Sequence, residues 1–159
     1  MNETQFIVPP GKQEITIRRR FEAPRELVFK AFSDSQLIPQ WWGPARYTTT
    51  VDKMEVHPGG MWRFSQRDAD GNEFAFHGFY HQVLSPERLV YTFEFEGVPG
   101  HIALETIQLE AQGDKTLLTD HMVFQSLEDR DGMYESGMED GSRESLERIE
   151  ALLMRVGAR

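Results

Sequence analysis

The sequence predicts an α+β domain built from one antiparallel sheet and one long C-terminal helix, with two short helices after the first strand. Three observations predict it. From residue 46 to 125 strand-like segments follow one another, broken by the turn signals HPGG, DADG, SPER, EGVPG and QGDK. Ahead of them, a proline-initiated stretch with an apolar face reads as helix. After Gly132 the pattern turns helical again, to about Val156.

In chain order, residues 1–12 carry Pro9-Pro10-Gly11 and little pattern, and are expected to form a loose tail before a single domain spanning 13–159. Residues 13–22, QEITIRRRFE, read as a strand. Ala23-Pro24-Arg25-Glu26 starts a helix, with proline where its missing N–H costs nothing, and Leu27, Val28, Ala31 and Phe32 give it an apolar side. A short helical turn near 35–40 delivers the chain to PQWWGP, and Gly43-Pro44 stops it. Six further strands, about seven in all, precede the final helix.

Composition excludes whole classes of function. A net charge of −9 argues against nucleic-acid and anionic-membrane surfaces, which need clustered cations. The one basic run, Arg18-Arg19-Arg20, lies in a strand, where alternation splits it between two faces, and reads as a solvated edge. With no cysteine there is no disulfide, thiol nucleophile or thiolate metal site. The N-terminus lacks the basic start and apolar core of a signal peptide, and no apolar run approaches the ~18 residues of a membrane span, so the chain reads as cytoplasmic. No cofactor motif is present. DADG resembles a calcium loop but lacks the later ligands, and a hairpin with Gly71 in the left-handed position explains it better.

Turn lengths set register, and register decides which residues share a face. A two- or four-residue loop at SPER puts Tyr91 opposite Gln82 and Phe93 opposite Tyr80. QGDK sets Ile107 opposite Asp120 and Glu105 opposite Met122. DADG sets Phe64 opposite Phe76 and Trp62 opposite Gly78. One wall then carries Trp62, Phe64, Phe76, Tyr80, Tyr91, Phe93, Ile107 and Met122, with Glu105 and Asp120 embedded in it. His77 and His81 fall on the other face, near acids, with no metal site implied.

The last helix places Met138, Ile149, Leu152 and Leu153 along one side. Glu139–Arg143 and Glu144–Arg148 form i,i+4 pairs on a solvated side. Gly137, Gly141 and Ser145 make a stripe of small residues, although each mid-helix glycine costs about 1 kcal/mol against alanine. Two readings stay open: the stripe brings the helix close to the aromatic wall, or it leaves room for a ligand. Glu105 and Asp120, diagonal neighbours about 7–8 Å apart, are either a polar pair holding a ligand or acids at a wet mouth beside an arginine such as Arg63. The adjacent Trp41 and Trp42 cannot both point at one spot. Either they form part of a lid, or they anchor the core.

The segments RRRFEAPRELVFKAFSD, LIPQWWGP, HPGGMWRF, FHGFYHQVLSPERLVYTFEF and SGMEDGSRESLERIEALL together resemble the activator of heat-shock-protein-90 ATPase homologue-like (AHSA-type) family of the START-like, or SRPBCC, superfamily, over about residues 13–156. The resemblance implies a helix-grip fold, a curved antiparallel sheet around a long C-terminal helix with a cavity between them. It does not decide function, since such folds host cochaperone domains, lipid or polyketide binders, and cyclases or dehydratases. The expectation taken forward is a non-enzymatic carrier or sensor of a small lipid-like or aromatic molecule. It would be contacted by Trp41, Trp42, Trp62, Phe64, Phe76, Tyr80, Tyr91, Phe93, Ile107, Met122 and Met138, with Glu105 and Asp120 as polar groups and Gly141 and Ser145 giving space. The alternatives are a stress- or chaperone-related module binding a protein partner, and an acid–base cyclase or dehydratase.

Overall fold

The computed structural model describes residues 3–157. Eight strands form one antiparallel sheet in the order β1-β2-β8-β7-β6-β5-β4-β3. They are β1 (Gln5–Ile7), β2 (Glu14–Phe21), β3 (Thr48–Met54), β4 (Met61–Arg67), β5 (Glu73–Leu84), β6 (Arg88–Phe95), β7 (Ile102–Gln112) and β8 (Lys115–Val123). The helices are α1 (Arg25–Ser33), α2 (Leu127–Met133) and α3 (Glu139–Gly157), with a 3-10 turn at Ile38–Gln40. From β3 to β8 the chain is a simple meander. The single long connection runs from β2 through α1 and the 3-10 turn to β3 at the opposite edge of the sheet. That connection therefore crosses one face of the curved sheet, and α3 packs beside it. The architecture is the expected helix grip, with a curved, unclosed sheet.

The additional strand comes from the segment expected to be a loose tail. Gln5–Ile7 pairs with Thr16–Arg18, and Arg19 Nη1 donates to Thr4 Oγ1 at 2.9 Å. Further along, the Arg130 guanidinium donates to the carbonyls of Pro9 and Lys12. Arg143 donates to the Thr4 carbonyl at 2.8 Å, and these bonds depend on Arg19, Arg130 and Arg143, which are distant in sequence, so local pattern carries no sign of them. Arg19 is itself only 7% exposed and lies 3.7 Å from Glu150. The Arg18–Arg20 strand is therefore no solvated edge. It lies between β1 and β8 with its middle arginine turned inward.

The β4–β5 and β7–β8 registers match the turn-length expectation: Phe64 faces Phe76, Trp62 faces Gly78, and Ile107 faces Asp120. The DADG turn is a hairpin in which Gly71 takes φ +85° and the Asp68 carboxylate accepts from the backbone N–H groups of Asp70 and Asn72. The β5–β6 register differs. Leu84 pairs with Arg88 across a three-residue turn, and the register shifts again between Tyr80 and Gln82. Tyr91 thus faces Tyr80 rather than Gln82. The two one-residue steps add to a slip of two, so Phe76, Tyr80, Tyr91 and Phe93 keep the inner face. Gln82 is exposed, and Val83 packs against the core in its place.

In α3 the large apolar residues are concentrated late. Leu146, Ile149, Leu152 and Leu153 are all buried. The helix starts later than expected because Gly137, at φ +91°, breaks it within the turn Tyr134–Met138 that follows α2. Glycine takes this conformation without a Cβ penalty. Gly137 therefore belongs to a kink and not to a stripe of small residues on the helix.

Candidate ligand-binding cavity

The uneven distribution of side-chain size along α3 creates a space. Its C-terminal half fills the interval between helix and sheet with leucine and isoleucine, whereas its first turns offer Gly141, Ser142 and Ser145. Opposite these residues lies a cavity of about 270 Å³. A Cβ placed on Gly141 would meet only Pro44 Cγ, at 3.8 Å, so the helix does not press on the sheet there. Of the two readings of the small residues, open space fits the geometry.

The two tryptophans divide their roles. Trp41 is 5% exposed, donates its indole N–H to the Ala31 carbonyl at 2.8 Å, and stands edge-on to Phe32 at 4.9 Å. It fastens the 3-10 turn beneath α1. Trp42, half-buried, inserts between Phe64 and Phe76, with ring centroids 5.2 and 5.1 Å away. These edge-to-face contacts suit the aromatic quadrupole. The following loop is clamped from α3: Arg148 donates to the Gly43 carbonyl at 2.6 Å, and Glu144 accepts from the Ala45 N–H. Glu144 and Arg148 were expected to pair on a solvated side. They instead position the cavity rim. Gly43 has φ +78°, and a Cβ on it would fall 1.9 Å from Gln66 Nε2, which fixes glycine at the turn after the tryptophans.

Trp62 holds the sheet wall. Its indole N–H donates to the Thr92 carbonyl at 3.1 Å, passing over Gly78. A Cβ at Gly78 would lie 1.7 Å from that carbonyl oxygen. Phe93, Phe76 and Tyr91 complete the aromatic surface around Trp62 and Trp42.

Glu105 and Asp120 sit in this wall. Both line the cavity, and Glu105 lies within hydrogen-bonding reach of Asp120 and of the Tyr91 hydroxyl. Arg63 is not their partner. It is on the outer face, bonded to Glu96 and Asp52. Burial pushes both carboxyls above their usual range, Asp120 well above it, with the Glu105 charge adding to the Asp120 shift. Hydrogen bonds from Asp120 and Tyr91 pull Glu105 partly back. Tyr91, pushed up by burial and by the two acids, stays a neutral donor. Asp120 Oδ1 is buried without a donor from any protein group.

All the residues expected at the site line this cavity except Ile107, which is 1% exposed and belongs to the packed core. Sequence reasoning missed Ile17, Phe32, Ile38, Pro44, Gln66 and Met133. Gln66 was accessible to it, since it shares a face with Trp62 and Phe64. Ile17 was not, because the pairing of β2 with β8 joins strands about a hundred residues apart. Among the described residues no group of His, Asp and Glu could hold a metal ion, and His77 instead bridges Glu94 and Glu96 on the outer face.

Residues 22–154 match the family model described as activator of Hsp90 ATPase homolog 1-like protein. The chain belongs to this family. Solved structures agree with the Hsp90 ATPase activator-like fold over nearly the whole chain. A protein from Arthrobacter aurescens is 25% identical, with 95% of this chain and 91% of that one covered, at a TM-score of 0.88. One from Chromobacterium violaceum is 26% identical over 89% and 96%, at 0.80. The AHSA1 protein from Silicibacter pomeroyi, 23% identical over 89% and 97% at 0.72, shares the fold. No curated protein matches by sequence.

Proposed function

We propose that this family member is a non-enzymatic carrier or sensor that binds one small hydrophobic molecule between α3 and the sheet. The observation that carries the reading is the cavity itself, about 270 Å³, walled by Trp42, Trp62, Phe76 and Phe93 and left unfilled by Gly141 and Ser145. Water-sized space lined by large aromatics is costly unless something occupies it, because each wall atom forgoes dispersion contacts. A flat bicyclic or short lipid-like molecule suits the volume. Native mass spectrometry of gently purified protein, followed by denaturing extraction, tests the proposal. A co-purifying molecule of defined mass is the expected result. A clean protein mass that no hydrophobic probe alters would refute it.

A second reading rests on a separate feature. On the outer face, Phe79, Leu104 and Val123 are 39–47% exposed and are linked through Thr92, whose hydroxyl accepts from the Phe79 N–H. That row suits the chaperone-related protein-interaction role that the family description brings to mind. Pull-down competition by Leu104→Asp tests it: undiminished capture of every partner rules the face out.

A further inference from the structure

Resting on the cavity reading above, we propose that the ligand class is a hydrophobic amine: a planar apolar body carrying a cationic nitrogen that docks against Glu105 and Asp120. Among the described residues the cavity lining contains two ionisable carboxyls and no lysine, arginine or histidine. The arginines turned inward or set at the rim are bonded elsewhere: Arg19 to Thr4 Oγ1 with Glu150 at 3.7 Å, Arg148 to the Gly43 carbonyl, and Arg143 to Glu139 and the Thr4 carbonyl, while Arg63 holds the outer-face acids. A fatty acid or other carboxylate would therefore add a third acid to a low-dielectric site whose lining holds no cation to neutralise it.

An ammonium reverses every one of these terms. It offers donors to Glu105 and to Asp120 Oδ1, which accepts no hydrogen bond from any protein donor. It also balances the charge of whichever carboxyl is ionised. Trp42, Trp62 and Tyr91 line the same cavity as the acids, and indole is the strongest of the side chains that attract a cation by its face. An aromatic enclosure with one carboxylate and no competing cation is the arrangement that recognises organic cations. Tyr80, Gln66, Ser142 and Ser145 supply further polar side chains, all uncharged.

Three probes on one ring system test the assignment: 2-naphthylmethylamine, 2-naphthalenemethanol and 2-naphthoate, cationic, neutral and anionic at pH 7.5. Affinities are read by calorimetry and tryptophan fluorescence on the whole chain. The expected order is amine, alcohol, carboxylate, with the amine at least about tenfold tighter than the alcohol, the scale of one charged hydrogen bond. Glu105→Gln/Asp120→Asn should collapse that order while the alcohol still binds. Because the wild-type ranking needs no variant, the test survives a failure of the double variant to fold. An alcohol or naphthoate that binds as tightly as the amine would overturn the amine assignment and leave the carrier reading standing. Failure of all three to bind would overturn both.

Discussion

Replacing Gly141 with leucine decides whether the space beside α3 is real. The Cβ of residue 141 meets Pro44 Cγ at 3.8 Å, an ordinary contact, and nothing nearer. The added side chain then projects into the 270 Å³ cavity. Full burial of a leucine side chain is worth about 1.5–3 kcal/mol. About half of that is the fair share where the cavity retains a mouth, and lost rotamer freedom removes ~0.5–1 kcal/mol. Removing a glycine from the helix returns up to about 1 kcal/mol. The sum is a gain of roughly 1 kcal/mol, at most about 2, which raises Tm by a few degrees for a chain of this size. Urea denaturation gives the free energy, and titration with 2-naphthalenemethanol gives the binding. The account predicts a more stable protein that no longer binds the probe. Were the helix packed tightly on the aromatic wall, overpacking would instead cost about 1–3 kcal/mol. A lowered urea midpoint would therefore refute the reasoning.

Other outcomes follow from the same geometry. Trp41→Ala, which removes the bond to the Ala31 carbonyl and the contact with Phe32, should cost about 3–5 kcal/mol in a thermal or urea melt. Trp42→Ala should cost less stability and more affinity, and equal losses in both variants would contradict the division of roles. Gly78→Ala sets a methyl 1.7 Å from the Thr92 carbonyl oxygen, and should lower stability by at least about 3 kcal/mol with loss of the Trp62 bond, visible in indole N–H exchange. The raised carboxyls predict a pH dependence. The folded chain retains a proton that the unfolded chain has already released, so stability falls as pH rises from the ordinary carboxylate range toward the raised values, by up to about 1.4 kcal/mol per pH unit per proton. Asp120→Asn imitates the protonated acid. Its melting temperature should exceed that of the wild type at pH 8 and converge with it toward pH 4; a constant offset would contradict the raised Asp120 carboxyl.

Much of the fold was legible because its turns are local. DADG and QGDK each carry a glycine at positive φ, so loop length alone places Phe64 against Phe76 and brings Glu105 and Asp120 into one wall. At SPER the odd loop length and the irregularity beyond Tyr80 each shift register by one, and neither leaves a mark in residue type. Features made by distant segments were hidden: Arg130 holding the Pro9 and Lys12 carbonyls, and Glu144 with Arg148 gripping the loop after Trp42. Glu144 and Arg148 look solvent-facing by helical periodicity. Only their partners, a hundred residues away, turn them into clamps. The cavity itself was half legible. Gly141 and Ser145 pointed to missing volume, but whether the sheet would close that gap is a matter of packing that no local pattern contains.

The most direct test of a ligand site between α3 and the sheet uses the three indole N–H signals of the protein. In a ¹⁵N–¹H correlation spectrum titrated with 2-naphthalenemethanol, the account predicts shifts at Trp42, Trp62 and the Gly141 amide, with the outer-face amides of Phe79 and Leu104 unmoved. Shifts confined to the outer face, with the cavity indoles unchanged, would contradict it.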